Sequence, residues 1–133
     1  MKRVIIAIIF IGISIAIGVY SLNESTRICN NMIFRIENAT EDNTEILEND
    51  NHDKRVEFYS TLVNLNDAWE ENSKFFYFFF SNEDLKMIET NIEKLPTHAK
   101  NGDLESTYLC LVECLEEFEY IKNNGTPSWD NVF

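Results

Sequence analysis

The sequence predicts an all-α protein, an N-terminal transmembrane helix followed by an antiparallel three- to four-helix bundle. Three observations carry that prediction. Val4 to Tyr20 is a run of 17 residues without a charge, preceded by Lys2 and Arg3. Beyond it, large apolar residues recur at steps of three, four and seven, the spacing of one face of a helix. Each periodic segment then ends at a turn or cap signal. The chain divides accordingly into an anchor, residues 1–21, and an extracytoplasmic helical domain with a C-terminal tail, residues 22–133. No internal repeat and no low-complexity linker marks a further domain.

The apolar run is at the short end of what crosses a bilayer, where about 20 residues are usual. Its basic flank predicts a cytoplasmic N-terminus, with everything after Tyr20 outside. The rival reading is a cleaved secretory signal that releases the domain, with Val19 and Ser21 at the −3 and −1 positions. Against cleavage, the run exceeds a usual signal core and lacks a short polar segment after it. No Cys stands just after the run to take a lipid.

Asn23 to about Leu47 reads as a polar helix with a thin stripe of Ile28, Met32, Ala39 and Ile46, flanked by Ile36. No Pro or Gly separates it from the anchor, so the two form one continuous helix if nothing else intervenes. Glu48 to Asp53 (Glu-Asn-Asp-Asn-His-Asp) is a turn-rich acidic break, with Asp53 the expected cap of the second periodic helix.

That helix carries Phe58, Leu62, Leu65, Trp69, Phe76 and Phe79 within about 60° of one line. It ends in six consecutive aromatic residues, Phe75 to Phe80. Phe78 lies about 160° from the stripe, with Phe75 and Tyr77 to opposite sides. A helix apolar all round is either covered on several sides or touches something else at that end. Phe75, Tyr77 and Phe78 are therefore interaction candidates, for a partner or for the nearby bilayer.

Ser81 and Asp84 form a helix start. Leu85, Ile88, Ile92 and Leu95 face inward from the helix they open, and Pro96 kinks or ends it. Asn101-Gly102-Asp103 makes the next turn, with Asp103 as cap. The last helix, about Leu104 to Lys122, places Leu104, Tyr108, Leu111, Leu115 and Phe118 on one face and Glu105, Glu113 and Glu116 on the other. Asn124-Gly125 stops it. In the tail, Trp129 and Phe133 are expected to dock back on the bundle and complete the interaction candidates.

Composition excludes several classes. After Lys2 and Arg3 the chain holds 9 basic against 23 acidic residues. A nucleic-acid binder needs a basic footprint, and this chain has the reverse. The same balance argues against adhesion to an anionic lipid surface through charge. Cys29, Cys110 and Cys114 are an odd number without zinc-ligand spacing. They read as small buried hydrophobes, although spacing alone permits one bridge from Cys29.

Catalytic constellations are absent. His52 and His98 fall in predicted loops without partners at metal-ligand spacing. The chain holds no HExxH, Gly-rich phosphate loop or GxSxG elbow. Glu48, Asp50, His52 and Asp53 crowd together, but a calcium loop would need a Gly at its sixth position and an acid where Tyr59 stands. Paired carboxylates such as Glu116 and Glu117 sit on helix faces. No catalytic residue, cofactor or metal site is expected.

Trp69 with Phe75 to Phe80 after it, the start Ser81 to Leu85, the Asn101-Gly102-Asp103 turn and the closing Ser128-Trp129-Asp130-Asn131-Val132-Phe133 together resemble a small bacterial family of membrane-anchored helical proteins, domain of unknown function 4363. The likeness covers essentially the whole chain through short, mostly apolar motifs. It implies an anchored helical protein of sporulating, low-GC Gram-positive bacteria and no established activity. Many members place a His after the aromatic run where this chain has Asn82, so any metal or proton chemistry of that His does not carry over.

The residues support two functional readings. One is a non-enzymatic accessory module, anchored outside the cytoplasmic membrane and contacting another membrane or envelope protein. The other is a module that binds a small apolar ligand in a pocket at the Phe-rich end, or cations on its acidic face.

Overall fold

The computed structural model describes residues 1–80 and 82–124. They form four helices, α1 (Lys2–Glu48), α2 (His52–Phe79), α3 (Asn82–Lys100) and α4 (Leu104–Asn124), with no strand among the described residues. The expected anchor and polar helix are one element of 47 residues, about 70 Å long, because nothing in residues 19–48 interrupts the backbone ladder. Residues 4–20 stay almost wholly uncovered, whereas from Ser21 onward one face of α1 is buried. Among the described residues, α1 alone is long and apolar enough to cross a membrane, a test that a signal sequence also passes.

Each helix packs on two others: α1 on α2 and α4, and α3 on the same pair. Close contacts tie early residues of one helix to late residues of its neighbour. Tyr20 meets Phe75. The Asn43 amide donates to the carbonyl of Leu104, at the start of α4. Gly102 lies beside Arg55, near the start of α2.

Most expected core positions are buried: Ile28, Met32, Ile36, Ala39 and Ile46 on α1; Phe58, Leu62, Leu65, Trp69, Phe76 and Phe79 on α2; Leu85, Ile88, Ile92 and Leu95 on α3. On α4 the stripe is rotated from the expected one. Leu104, Leu111 and Phe118 are buried, but Thr107, Cys110, Cys114 and Ile121 complete the face, while Tyr108 is exposed and Leu115 only half-buried. Small side chains at 107, 110 and 114 let α4 approach both α1 and α3. Exposure leaves the Tyr108 hydroxyl in water, which a dry interface would deny it.

Two boundary expectations are also corrected, the α2 cap and the placement of the histidines, and the choice left open at Pro96 is decided. Asn51, not Asp53, caps α2: its side-chain oxygen accepts from the Asp53 N–H at 2.9 Å. Asp53 falls instead in the first turn, where its charge suits the positive end of the helix. Pro96 does not end α3, which runs four residues further; the helix forfeits one backbone bond and continues on buried Ile92 and Leu95. His52 and His98 both lie within helices rather than loops.

The α3–α4 turn is as expected. Gly102 takes φ +75°, its N–H bonds the carbonyl of Ala99 at 3.1 Å, and the Asp103 N–H bonds that of His98 at 2.9 Å. This pair of bonds is a Schellman stop, and it needs the left-handed residue that Gly supplies. Asp103 then caps α4 by accepting from the Ser106 N–H at 3.1 Å. The expected Ser81 cap and the docking of the tail lie outside the described residues.

Candidate functional site

The late residues of α2 build an aromatic cluster against α1 and α4. Trp69 stacks on Phe76 at 5.9 Å, and the Phe118 ring meets Trp69 edge-on at 5.8 Å and Phe76 at 6.5 Å. Phe76 also lies 5.7 Å from Phe75 and 5.6 Å from Phe80. The rings that could line a ligand pocket therefore fill the space against one another. The open grooves lie elsewhere, such as one of about 500 Å³ lined by His52, Arg55, Val56, Tyr59, Ala99 and Lys100.

The sequence-predicted interaction residues have separate fates. Phe75 is half-buried, with its ring 4.9 Å from Phe79 and 6.5 Å from Tyr20. Tyr77 is half-buried, and its hydroxyl donates to the Glu89 carboxylate on α3. Burial and that carboxylate push the Tyr77 phenol up to about 12, so it stays a neutral donor. Phe78 is 53% exposed and touches Phe79 alone among the aromatic rings of the described residues. Trp129 and Phe133 lie outside the described residues.

Sequence periodicity missed several exposed aromatic residues, Tyr59 among them. Phe34, 64% exposed, projects from α1 beside a groove of about 360 Å³ lined by Asn31, Arg35, Asn38, Thr61 and Asn64. Tyr20 and Tyr120 are 59% and 54% exposed. Single exposed aromatics leave no periodic trace; the legible signal was only that Phe34 falls off the α1 stripe.

The titratable groups offer little chemistry. All three cysteines are free and buried. Burial pushes Cys29 up to about 11 and Cys114 up to about 12, and raises Cys110 as well, so each is held as the unreactive thiol. In the acidic break, both Asp50 oxygens are taken by Arg55, at 2.6 and 2.8 Å. Among the described residues no group of three or more His, Cys, Asp or Glu is placed to hold a metal ion. No family model, no curated protein and no solved structure matches the chain.

Proposed function

We propose that the chain is a non-enzymatic accessory module, held on the outer face of the cytoplasmic membrane by residues 4–20, whose helical body contacts another membrane or envelope protein. The observation that carries this reading is the junction at Ser21. Below it α1 is bare and apolar; above it the same unbroken helix is the first wall of a packed body. Lys2 and Arg3 favour a cytoplasmic N-terminus.

Retention of the anchor is supported by its use in packing. Ile17 rests on the core and Tyr20 on Phe75, so cleavage after Ser21 would remove residues the body uses. The four helices form an antiparallel bundle in this reading. Short connections support it, as do the Tyr20–Phe75, Asn43–Leu104 and Gly102–Arg55 contacts, each of which joins opposite ends of successive or closing helices.

Partner recognition falls to the side of the body around Phe34. An exposed ring flanked by Asn31, Asn38, Thr61 and Asn64 offers apolar area together with donors and acceptors for a polypeptide surface. The likeness to domain of unknown function 4363 implies an anchored helical protein and no established activity.

The test is a crosslinked pull-down from native membranes with the full chain tagged after Phe133. One recurrent membrane protein, lost with Phe34→Asp at unchanged melting temperature, is the expected result. An empty pull-down with the chain still in the membrane would favour ligand binding instead. Recovery of the chain in the medium would refute the anchored reading.

A further inference from the structure

We infer that the Phe-rich end of the helical body is seated on the bilayer itself, through a rim formed by Tyr20, Phe78 and Tyr120. The inference rests on the reading of residues 4–20 as a retained anchor. It assigns the exposed end of the aromatic run to lipid rather than to a protein.

Phe78 stands at the level of the uncharged run. Phe75 lies against Tyr20, the last residue of the uncharged run. Further along, α2 travels back toward the start of α1, because its first residues adjoin the far end of α1 and Phe75 adjoins Tyr20. Three residues advance a helix by about 4.5 Å. Phe78 therefore stands about one turn inside the level of the apolar run, near Ile17, which itself packs on the body's core. Whatever surrounds the run at that height also surrounds Phe78.

A second observation comes from α4. Its Phe118 ring lies between Trp69, at 5.8 Å, and Phe76, at 6.5 Å, so Tyr120, about 3 Å further along, stands between the levels of residues 71 and 78 of α2, on the outer side of Phe78. Tyr20 and Phe78, exposed on two different helices, thus meet at the place where the chain would leave the membrane, with Tyr120 the next exposed ring outward on α4. Aromatic belts form at that depth because the rings are apolar while the tyrosine hydroxyls stay hydrated.

The depth is limited by α3, whose exposed Glu83 and Asp84 open the helix at the same end. Carboxylates do not enter hydrocarbon. The rings accordingly lie in the headgroup and upper acyl layer, with Glu83 and Asp84 in the headgroup water. Seated in this way, the body cannot swing on its tether, and the side of α1 that bears Phe34 is held at a fixed height above the membrane.

The experiment places p-benzoylphenylalanine singly at positions 78, 120, 59 and 10 of the full chain, reconstituted in phosphatidylcholine nanodiscs and irradiated. Mass spectrometry reads the adducts. Phospholipid adducts at 78, in a yield within a few-fold of position 10 in the run, a lower yield at 120, and none at 59 on the opposite end, are expected. Lipid adducts at 10 but not at 78 overturn the seating while leaving the anchor intact. None at either position overturns both. In native membranes, a protein adduct at 78 in place of lipid overturns the assignment to the bilayer.

Discussion

The Phe118 ring meets the Trp69 ring edge-on at 5.8 Å, with 73° between their planes. That contact joins α4 to α2, two helices whose backbones share no close approach among the described residues. Only long side chains span this diagonal, so the pair closes the centre of the body. Phe118→Ala is expected to cost about 3–5 kcal/mol, a lost ring plus the cavity left behind. Phe78→Ala, on the exposed side of the same aromatic run, should cost within about 0.5 kcal/mol. Denaturant unfolding of the full chain in detergent, followed by Trp fluorescence, checks both. Equal costs would mean that Phe78 is core.

The turn at Gly102 gives a prediction about backbone alone. A Cβ there would meet only the Arg55 guanidinium at 3.6 Å, an ordinary contact. The positive φ is then the whole penalty, and Gly102→Ala should cost about 1–2 kcal/mol. Gly102→Asn should cost less, since Asn tolerates the left-handed region. An Ala variant as stable as the parent would show that the turn relaxes to another geometry.

The thiols should be silent in the folded chain. With Cys29 held near 11 and Cys114 near 12 by burial, alkylation by a maleimide at pH 8 should be slow at both positions. Cys110, at the edge of the core, should react first, and denaturant should expose all three. Rapid labelling of Cys29 or Cys114 in the native state would contradict their burial.

Acidity should first stabilise the fold. Burial, and then neighbouring carboxylates, raise Asp42 (beside Glu45, Glu57 and Glu41) and Glu117 (beside Asp84 and Glu116). A folded-state value above the unfolded one means stability that is present at low pH and lost as pH rises. Asp103, held down by Ser106, and Glu24, held down by Arg27, act in the opposite sense and lose their contribution only below the ordinary carboxylate range. The melting temperature should therefore rise as pH falls toward the ordinary carboxylate range, and fall again once Asp103 and Glu24 take up protons below it. Asp42→Asn with Glu117→Gln should flatten the rise. A melting temperature that falls steadily from pH 7 would contradict this.

Much of the architecture was readable from spacing. Ile28, Met32, Ile36, Ala39 and Ile46, and again Leu85, Ile88, Ile92 and Leu95, are apolar residues at helical intervals, and burial follows from that pattern alone. The α4 stripe was misread because Thr107, Cys110 and Cys114 are less conspicuous than Tyr108 and Leu115, yet are small enough to allow close helix contact. The α2 cap was misread because Asn51 and Asp53 are both good caps, and only backbone geometry chooses between them. The aromatic rim was illegible for a different reason. Tyr20, Phe78 and Tyr120 are 42 or more residues apart, and only the packing of three helices brings them to one end of the body.

The central claim is that an intact α1 holds the helical body to the outer face of the membrane. The most direct measurement is protease shaving of intact cells expressing the chain tagged after Phe133, with carbonate extraction of the membranes afterwards. The account predicts a carbonate-resistant chain whose tag and helical body are removed by external protease, leaving a short fragment that contains residues 4–20. A chain protected in intact cells, or one found in the medium beginning after Ser21, would contradict it.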